Sequence, residues 1–262
     1  MLAHVHVMKT AGQTLREILR QSFTGQHCDL RASGNYATAA DLRWALQVYP
    51  QLKSIAGHHV VPYSDLEDVG RELRYFTFFR EPVARFASHY QFGCHNASRL
   101  LPFDEFLDRF ANLQTRHIAS VPQAGAAIEM LQRRIGFVGL MEKFNESLVL
   151  LKHWSGEPLE LPCRSQNIAP SNDIKQRLLS DSRTVERIRA AHSEDLRLYE
   201  YARDVIYPRQ VARFGPGLAA AVRELADAEP TANILSFSRL LATAKRDLLY
   251  KPLTKSPHRK AA

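Results

Sequence analysis

"HVHVMKTAGQTLREIL", residues 4–19, joins two kinds of pattern within a few residues. A short apolar run rich in β-branched residues breaks at Lys9-Thr10-Ala11-Gly12. The chain then takes up a helical period, with Leu15, Ile18 and Leu19 apolar and Arg16 and Arg20 polar. A buried strand feeding an amphipathic helix is the start of a βα unit. In open α/β sheets ligands sit where strands end and helices begin, because helix N-termini offer unpaired amides and a positive dipole end. An elbow here would place the amides of Ala11, Gly12, Gln13 and Thr14 around an anion. Gly12 would let the backbone approach closely, Thr10 and Thr14 could donate hydroxyls, and Lys9 adds a full charge. The elbow suits a phosphate-like group.

Further strands are expected at 52–56, 75–79 and 136–140, each a near-continuous apolar run like 2–8, as for strands covered on both faces of a parallel sheet. Helical periodicity covers 14–23, 39–49, 65–73, 83–92, 104–111, 126–134 and 142–154. Strands alternating with helices imply right-handed crossovers and a doubly wound parallel α/β sheet, P-loop-like in its first unit. The stretch 157–170, with three prolines, reads as a loop. Helices should follow at 173–179, 184–191 and 193–214, the last starting at an N-capping Ser193 and interrupted at Pro208. Gly215-Pro216-Gly217 marks a break. The simplest organisation is one catalytic domain, 1–214, and a helical C-terminal extension, 215–262, ending in a solvated basic tail at 251–260.

With 262 residues, 45% hydrophobic and 24% charged, the chain can bury one large core. Thirty-five Lys and Arg against 27 Asp and Glu leave a formal charge of +8, which predicts anionic partners without choosing among phosphate or sulfate esters, acidic polysaccharide, nucleic acid and lipid. Three scattered cysteines, Cys28, Cys94 and Cys163, argue against a disulfide framework or zinc ribbon and fit a reducing compartment. No apolar run approaches the roughly 18–20 residues needed to cross a bilayer. No signal peptide is evident at the N-terminus, so a cytoplasmic protein is expected. His4 and His6 share one strand face; with no third ligand in sight they read as packed strand histidines, and His89 and His95 as surface residues.

The elbow is not a Walker loop, whose glycines precede the lysine, and no Walker-B acid partners it. It resembles instead the H-x-P-K-T-A-G-T-[ST]-L signature of sulfotransferases that use 3′-phosphoadenosine 5′-phosphosulfate (PAPS), with Met8 in place of proline and Gln13 in place of Thr or Ser. A second segment, "YFTFFREPVARFASHY" (75–90), resembles the 3′-phosphate segment of that family, R-[DE]-P-x-x-R-x-x-S-x-Y, here Arg80, Glu81, Pro82, Arg85, Ser88 and Tyr90. "NLQTRHIA" (112–119), "FVGLMEKFNESLVLL" (137–151) and "EDLRLYEYA" (194–202) are similar to segments of carbohydrate sulfotransferases related to the heparan sulfate 2-O and 6-O enzymes. The resemblance spans residue 2 to about 205.

The resemblance implies transfer of a sulfuryl group from PAPS to a carbohydrate hydroxyl, leaving adenosine 3′,5′-bisphosphate (PAP), with no metal required and no nucleic acid as partner. Lys9 to Thr14 would hold the 5′ end, and Arg80 and Ser88 the 3′-phosphate. Lys9 would also stabilise the leaving oxygen. A histidine base is expected in "IAGHHVVPY" (55–63): His58 matches the G-H-V-like segment of 2-O relatives best, with His59 the second candidate. Arg164, Asn167 and Ser171 fall where relatives close a loop over the nucleotide, and Arg116 is a candidate substrate contact or a structural ion pair. A lipid or small-molecule acceptor, and a non-catalytic nucleotide- or polyanion-binding module, remain as rival readings. So does a kinase using ATP.

Overall fold

The computed structural model describes residues 1–96, 101–161 and 172–228, with 243–244 and 247–248. In chain order it runs β1 (Leu2–Val5), α1 (Gly12–Ser22), β2 (His27–Asp29), α2 (Ala39–Val48), β3 (Ser54–Gly57), β4 (Arg74–Phe79) and α3 (Pro82–Asn96). It continues with α4 (Phe103–Arg109), α5 (Leu113–Ala119), α6 (Ala124–Arg133), β5 (Ile135–Leu140) and α7 (Phe144–Ser155). The last helices are α8 (Asp173–Ser180), α9 (Ser182–Ala191), α10 (Ser193–Tyr201), α11 (Tyr207–Phe214) and α12 (Leu218–Asp227).

The five strands form one sheet in the order β2-β3-β1-β4-β5, every pairing parallel. Every residue of β1 and β3, and all of β4 but its first, is buried, so helices cover both faces. This is an α/β fold, and it explains why the strands read as continuous apolar runs rather than alternating ones. The chain leaves β1 toward β2 on one side and leaves β4 toward β5 on the other. The sheet therefore reverses direction between adjacent strands β1 and β4, the place where such folds hold ligands.

Several local expectations change. β2 was not foreseen: at three residues, His-Cys-Asp, it carries no hydrophobic period, and it is an edge strand. The helix expected over 65–73 is only a 3-10 turn, Leu66–Val69, ended by Gly70 at φ 73°. Pro208 does not break the helical run. A π turn, Ala202–Ile206, widens the backbone just ahead of it and places the proline in the first turn of α11. His89 is not a surface residue: it is buried on α3, its ring 4.9 Å from Phe106 and 4.4 Å from Phe110. α12 lies along α7, and Leu218 enters the same core as the sheet. Among the described residues no helix is long and apolar enough to cross a membrane.

Ser193 is the first residue of α10 and makes no side-chain cap. The acids after it cap other helices. Buried Asp195 accepts hydrogen bonds from Gln114 N–H (3.1 Å), Thr115 N–H (2.7 Å) and the Thr115 hydroxyl (2.7 Å), closing the N-terminus of α5. In return Asn112 Oδ1 accepts from the amides of Glu194 and Asp195, both at 3.1 Å. Glu194 also caps α6 through the Ala124 amide at 2.7 Å. The "NLQT" and "EDL" segments are thus two halves of one reciprocal cap that docks α10 onto α5 and α6. Asp195→Ala, which orphans three buried donors, is expected to destabilise the protein by about 3 kcal/mol in urea unfolding. Asn112→Ala should cost less, about 1 kcal/mol, because its acceptor serves two amides at a partly exposed helix end.

Candidate functional site

Val5, the last residue of β1, pairs with Gly57 at the end of β3 and with Thr77 on β4. The loops after β1, β3 and β4 therefore leave the same edge of the sheet side by side. They carry Lys9–Ala11, His58–His59 and Arg80.

In the first loop, Lys9 (φ 68°) and Ala11 (φ 59°) both hold left-handed backbone. Side chains there cost roughly 1 kcal/mol or more each, a strain stored where the chain must turn at once into α1. Ala11 stands at the cap position with no side-chain cap, and the first intrahelical bond is Leu15 N–H to Ala11 O at 3.0 Å. The Gly12 and Gln13 amides consequently have no acceptor within the helix. Thr10 is buried and donates its hydroxyl to Val7 O at 2.9 Å, bracing the loop rather than offering its proton outward. Thr14 is buried and Gln13 exposed.

Gly12 has a sharper reason than approach of a ligand. A Cβ there would lie 1.6 Å from Nε2 of His6, whose ring rests directly on the glycine. His6 stacks in turn on His58, ring centroids 3.9 Å apart, and on His4 at 5.4 Å, with Phe76 beyond at 4.8 Å. This column links the elbow to the loop after β3. His58 Nδ1 lies 3.0 Å from the His6 carbonyl, which can only accept, so the ring carries its proton on Nδ1. Nε2 is left as a lone pair with no hydrogen-bond partner among the described residues. Burial, opposed by the His6 carbonyl, lowers the His58 pKa and keeps the ring neutral at pH 7. His59 points elsewhere, its Nδ1 bonded to Asn35 O at 3.1 Å.

Arg80 follows β4, its backbone clamped by Gln114, which accepts from the Arg80 amide (3.0 Å) and donates to its carbonyl (2.9 Å). Glu81 caps α3 through the amides of Val83 and Ala84 at 3.1 and 2.7 Å, beside Pro82 in the first turn. Among the described residues neither the Arg80 guanidinium nor the Lys9 ammonium has a hydrogen-bond or ion-pair partner. Lys9 instead sits 4.3 Å over the exposed Phe92 ring. Burial lowers the pKa of both, opposed at Arg80 by the Glu142 and Glu81 charges, and Arg80 lowers that of Lys9 further, placing the two cations near one another. Lys175 on α8 is depressed by burial and by Arg80 as well, a third cation on this corner. Ser88 lies half-buried about two turns into α3.

The other expected residues either have structural partners or lie outside the described residues. Arg116 donates to the carbonyls of Arg109 (2.8 Å) and Ala111, closing the end of α4. Its fork is thus engaged in structure. Arg85 is fully buried, donating to His192 Nε2 at 3.3 Å, and burial holds its pKa down to about 10 despite the Asp195 charge. Arg164, Asn167 and Ser171 lie outside the described residues, as do Cys163 and the basic tail. Among the described residues no group of three His, Cys, Asp or Glu side chains gathers as a metal site would need. Sequence reasoning missed His6 as the support of His58, Gln114 as the clamp of Arg80, and Lys175. Only the Gly12 position could have signalled the first, and α8 carries no motif.

In comparison with known proteins, no family model matches the chain, and no curated protein matches it.

Gly12→Ala is expected to cost about 1–3 kcal/mol in urea unfolding, because the new methyl must displace the His6 ring. Gly12→Ala/His6→Ala should recover part of that loss, which a double-mutant cycle measures. Burial also holds His4 and His89 down to about 3 and His117 to about 4. Unfolded histidines titrate near ~6.5 and so bind protons the folded chain refuses. Stability should be full above that pH and fall steadily as the pH drops toward 4. Chemical denaturation at stepped pH checks the sign.

Proposed function

We propose that this chain is a sulfotransferase moving a sulfuryl group from PAPS to a hydroxyl of a carbohydrate. One observation carries the reading. Two partly buried cations that form no ion pair among the described residues, Lys9 and Arg80, stand after adjacent strands β1 and β4, the second with the Glu81 and Glu142 charges nearby, while a neutral histidine whose Nε2 has no partner among the described residues stands after β3. Partly buried cations outside any ion pair favour an anion, and a pair on neighbouring loops suits one with charge at both ends. The resemblance of residues 4–15 and 75–90 to the two PAPS-binding segments names that anion. A P-loop-like elbow belongs to the same reading, supported by the left-handed Lys9 and Ala11 just ahead of the start of α1.

Sulfuryl transfer is an in-line displacement at sulfur, so positioning and charge stabilisation do most of the catalytic work. His58 Nε2 takes the acceptor's hydroxyl proton as the acceptor oxygen forms its bond to sulfur. The bond from sulfur to the 5′-phosphate oxygen breaks, and Lys9 and the α1 amides bear the charge gathering there. Arg80, with Ser88, holds the 3′-phosphate through its two-pronged guanidinium. Lys9 gives up only its contact with Phe92 to do this, a weak hold of about 1–2 kcal/mol. We place the protein in the cytoplasm, a setting compatible with free thiols at Cys28 and Cys94.

His58→Ala should lower kcat/KM for transfer from PAPS about 10²–10⁴-fold while leaving PAP affinity nearly unchanged. Wild-type protein that binds PAP yet sulfates nothing in a broad panel of glycans, lipids and phenols would identify a binding module instead. In a thermal-shift assay PAP should raise Tm, an effect of about 2.7 kcal/mol at a hundredfold excess over Kd, and Arg80→Ala should remove most of it. A larger shift from ATP with magnesium than from PAP would point to a kinase and end the proposal. Because His58 has a lowered pKa, the acid limb of kcat/KM should fall below the usual histidine range.

A further inference from the structure

We propose that Tyr36 and Tyr63 form the platform on which the acceptor's sugar ring lies, with His59 holding that platform beside the base. The inference rests on the sulfotransfer reading and names the residues that receive its acceptor. The segment between β2 and α2 returns over the same sheet edge that carries His58. Ala37 N–H donates to His59 O at 2.8 Å, and His59 Nδ1–H donates to Asn35 O at 3.1 Å. The residues on either side of Tyr36 are therefore tied to the backbone and ring of the residue that follows the candidate base. The segment is tied again at its far end. Thr38 and Asp41 form a capping box at α2, and the Ala39 amide donates to Asp65 Oδ1 at 2.9 Å.

This scaffold presents an exposed ring. Tyr36 is 44% exposed, one of few large hydrophobic side chains among the described residues to be so, in a loop whose backbone is otherwise held on both sides. Its partner is Tyr63, at a centroid distance of 5.8 Å and an interplanar angle of 76°. An edge-to-face pair leaves one ring face open and fixes its tilt. The Tyr63 hydroxyl interacts with the Ser120 side chain, at the left-handed end of α5, which ties the second ring to that helix.

The chemistry of this corner selects a pyranose. A sugar ring has an apolar C–H face and a rim of hydroxyls, so it needs a flat aromatic surface bordered by hydrogen-bonding groups. Tyr36 supplies the face; the Asn35 side chain, the Tyr36 hydroxyl and His59 Nε2 supply the border. None of these is an ammonium or guanidinium group, so the corner reads the ring itself rather than an acidic substituent. The same geometry separates the two neighbouring histidines. His58 is held by the stack on His6 with its lone pair outward, whereas His59 is spent on positioning the loop. His59 is a positioning residue, not the base.

The test uses saturation-transfer difference NMR on the full chain saturated with PAP, offered unsulfated heparosan tetrasaccharide, cellotetraose and 4-nitrophenol. Irradiating aromatic protons should saturate the C–H protons of a sugar ring in at least one tetrasaccharide. Tyr36→Ala should erase that signal and raise the sugar's KM about tenfold or more, a loss of ~1.4 kcal/mol, with kcat and PAP affinity unchanged. Tyr36→Phe, which keeps the ring, should stay within about twofold to threefold of wild type. His59→Ala should raise KM and lower kcat far less than His58→Ala. No saturation transfer to either sugar, saturation of 4-nitrophenol alone, or a Tyr36→Ala variant indistinguishable from wild type would overturn the inference while leaving donor binding intact. Failure of calorimetry to detect PAP binding would instead bring down the sulfotransfer reading and this inference with it.

Discussion

β1 is hydrogen-bonded to β3 along one edge and to β4 along the other, and the arrangement of the candidate site follows from that pairing. Parallel neighbours lie about 4.8 Å apart, so three loops that leave one sheet edge must share a space the width of a small ligand. The connection after β1 runs one way and that after β4 the other, which opens the crevice between them. Beside it stand a lysine from the first loop and an arginine from the third, neither in an ion pair among the described residues. A histidine with its proton fixed on the far nitrogen comes from the second. None of these side chains is near another in sequence.

Holding this group together carries strain and desolvation that the surrounding structure offsets. Two non-glycine residues keep left-handed backbone, and the His6 ring occupies the space over Gly12 where any side chain would stand. Burial keeps His4, His6 and His89 neutral at pH 7, which spares Lys9 and Arg80 additional like charge. Behind the site, fully buried Arg85 sits near the Asp195 charge, and Asp195 itself closes the N-terminus of α5. α5 then delivers Gln114 to the backbone of Arg80. The capping network between α5, α6 and α10 is thus mechanically continuous with the anion corner.

Much of this was legible in the sequence, for reasons that differ by element. Strands 75–79 and 136–140 read clearly because a strand covered on both faces must be apolar throughout, and α1 because its buried positions recur at helical spacing. β2 could not be read: a three-residue edge strand buries too little to leave a pattern, and its partner β3 defines it. The helix expected over 65–73 failed because Gly70 takes the left-handed conformation and ends the turn. Pro208 suggested a break, but a π turn ahead of it absorbed the missing donor. Lys9, Arg80 and His58 were accessible through local motifs. Their supports were not, since Gln114 and His6 act through contacts that only the folded sheet creates, and His89 looked exposed until α4 covered it. Arg116, expected as a substrate contact or a structural ion pair, donates to backbone carbonyls at the end of α4.

The central claim is that the corner after β1 and the corner after β4 grip opposite ends of one adenosine-based anion. Crystallography of the complex with PAP tests it most directly. The account requires the 5′-phosphate against the amides of Gly12–Thr14 and Lys9, the 3′-phosphate against Arg80, and His58 Nε2 facing the space beyond the 5′-phosphate. Nucleotide bound elsewhere, or held at one corner with its other phosphate in solvent, would contradict it.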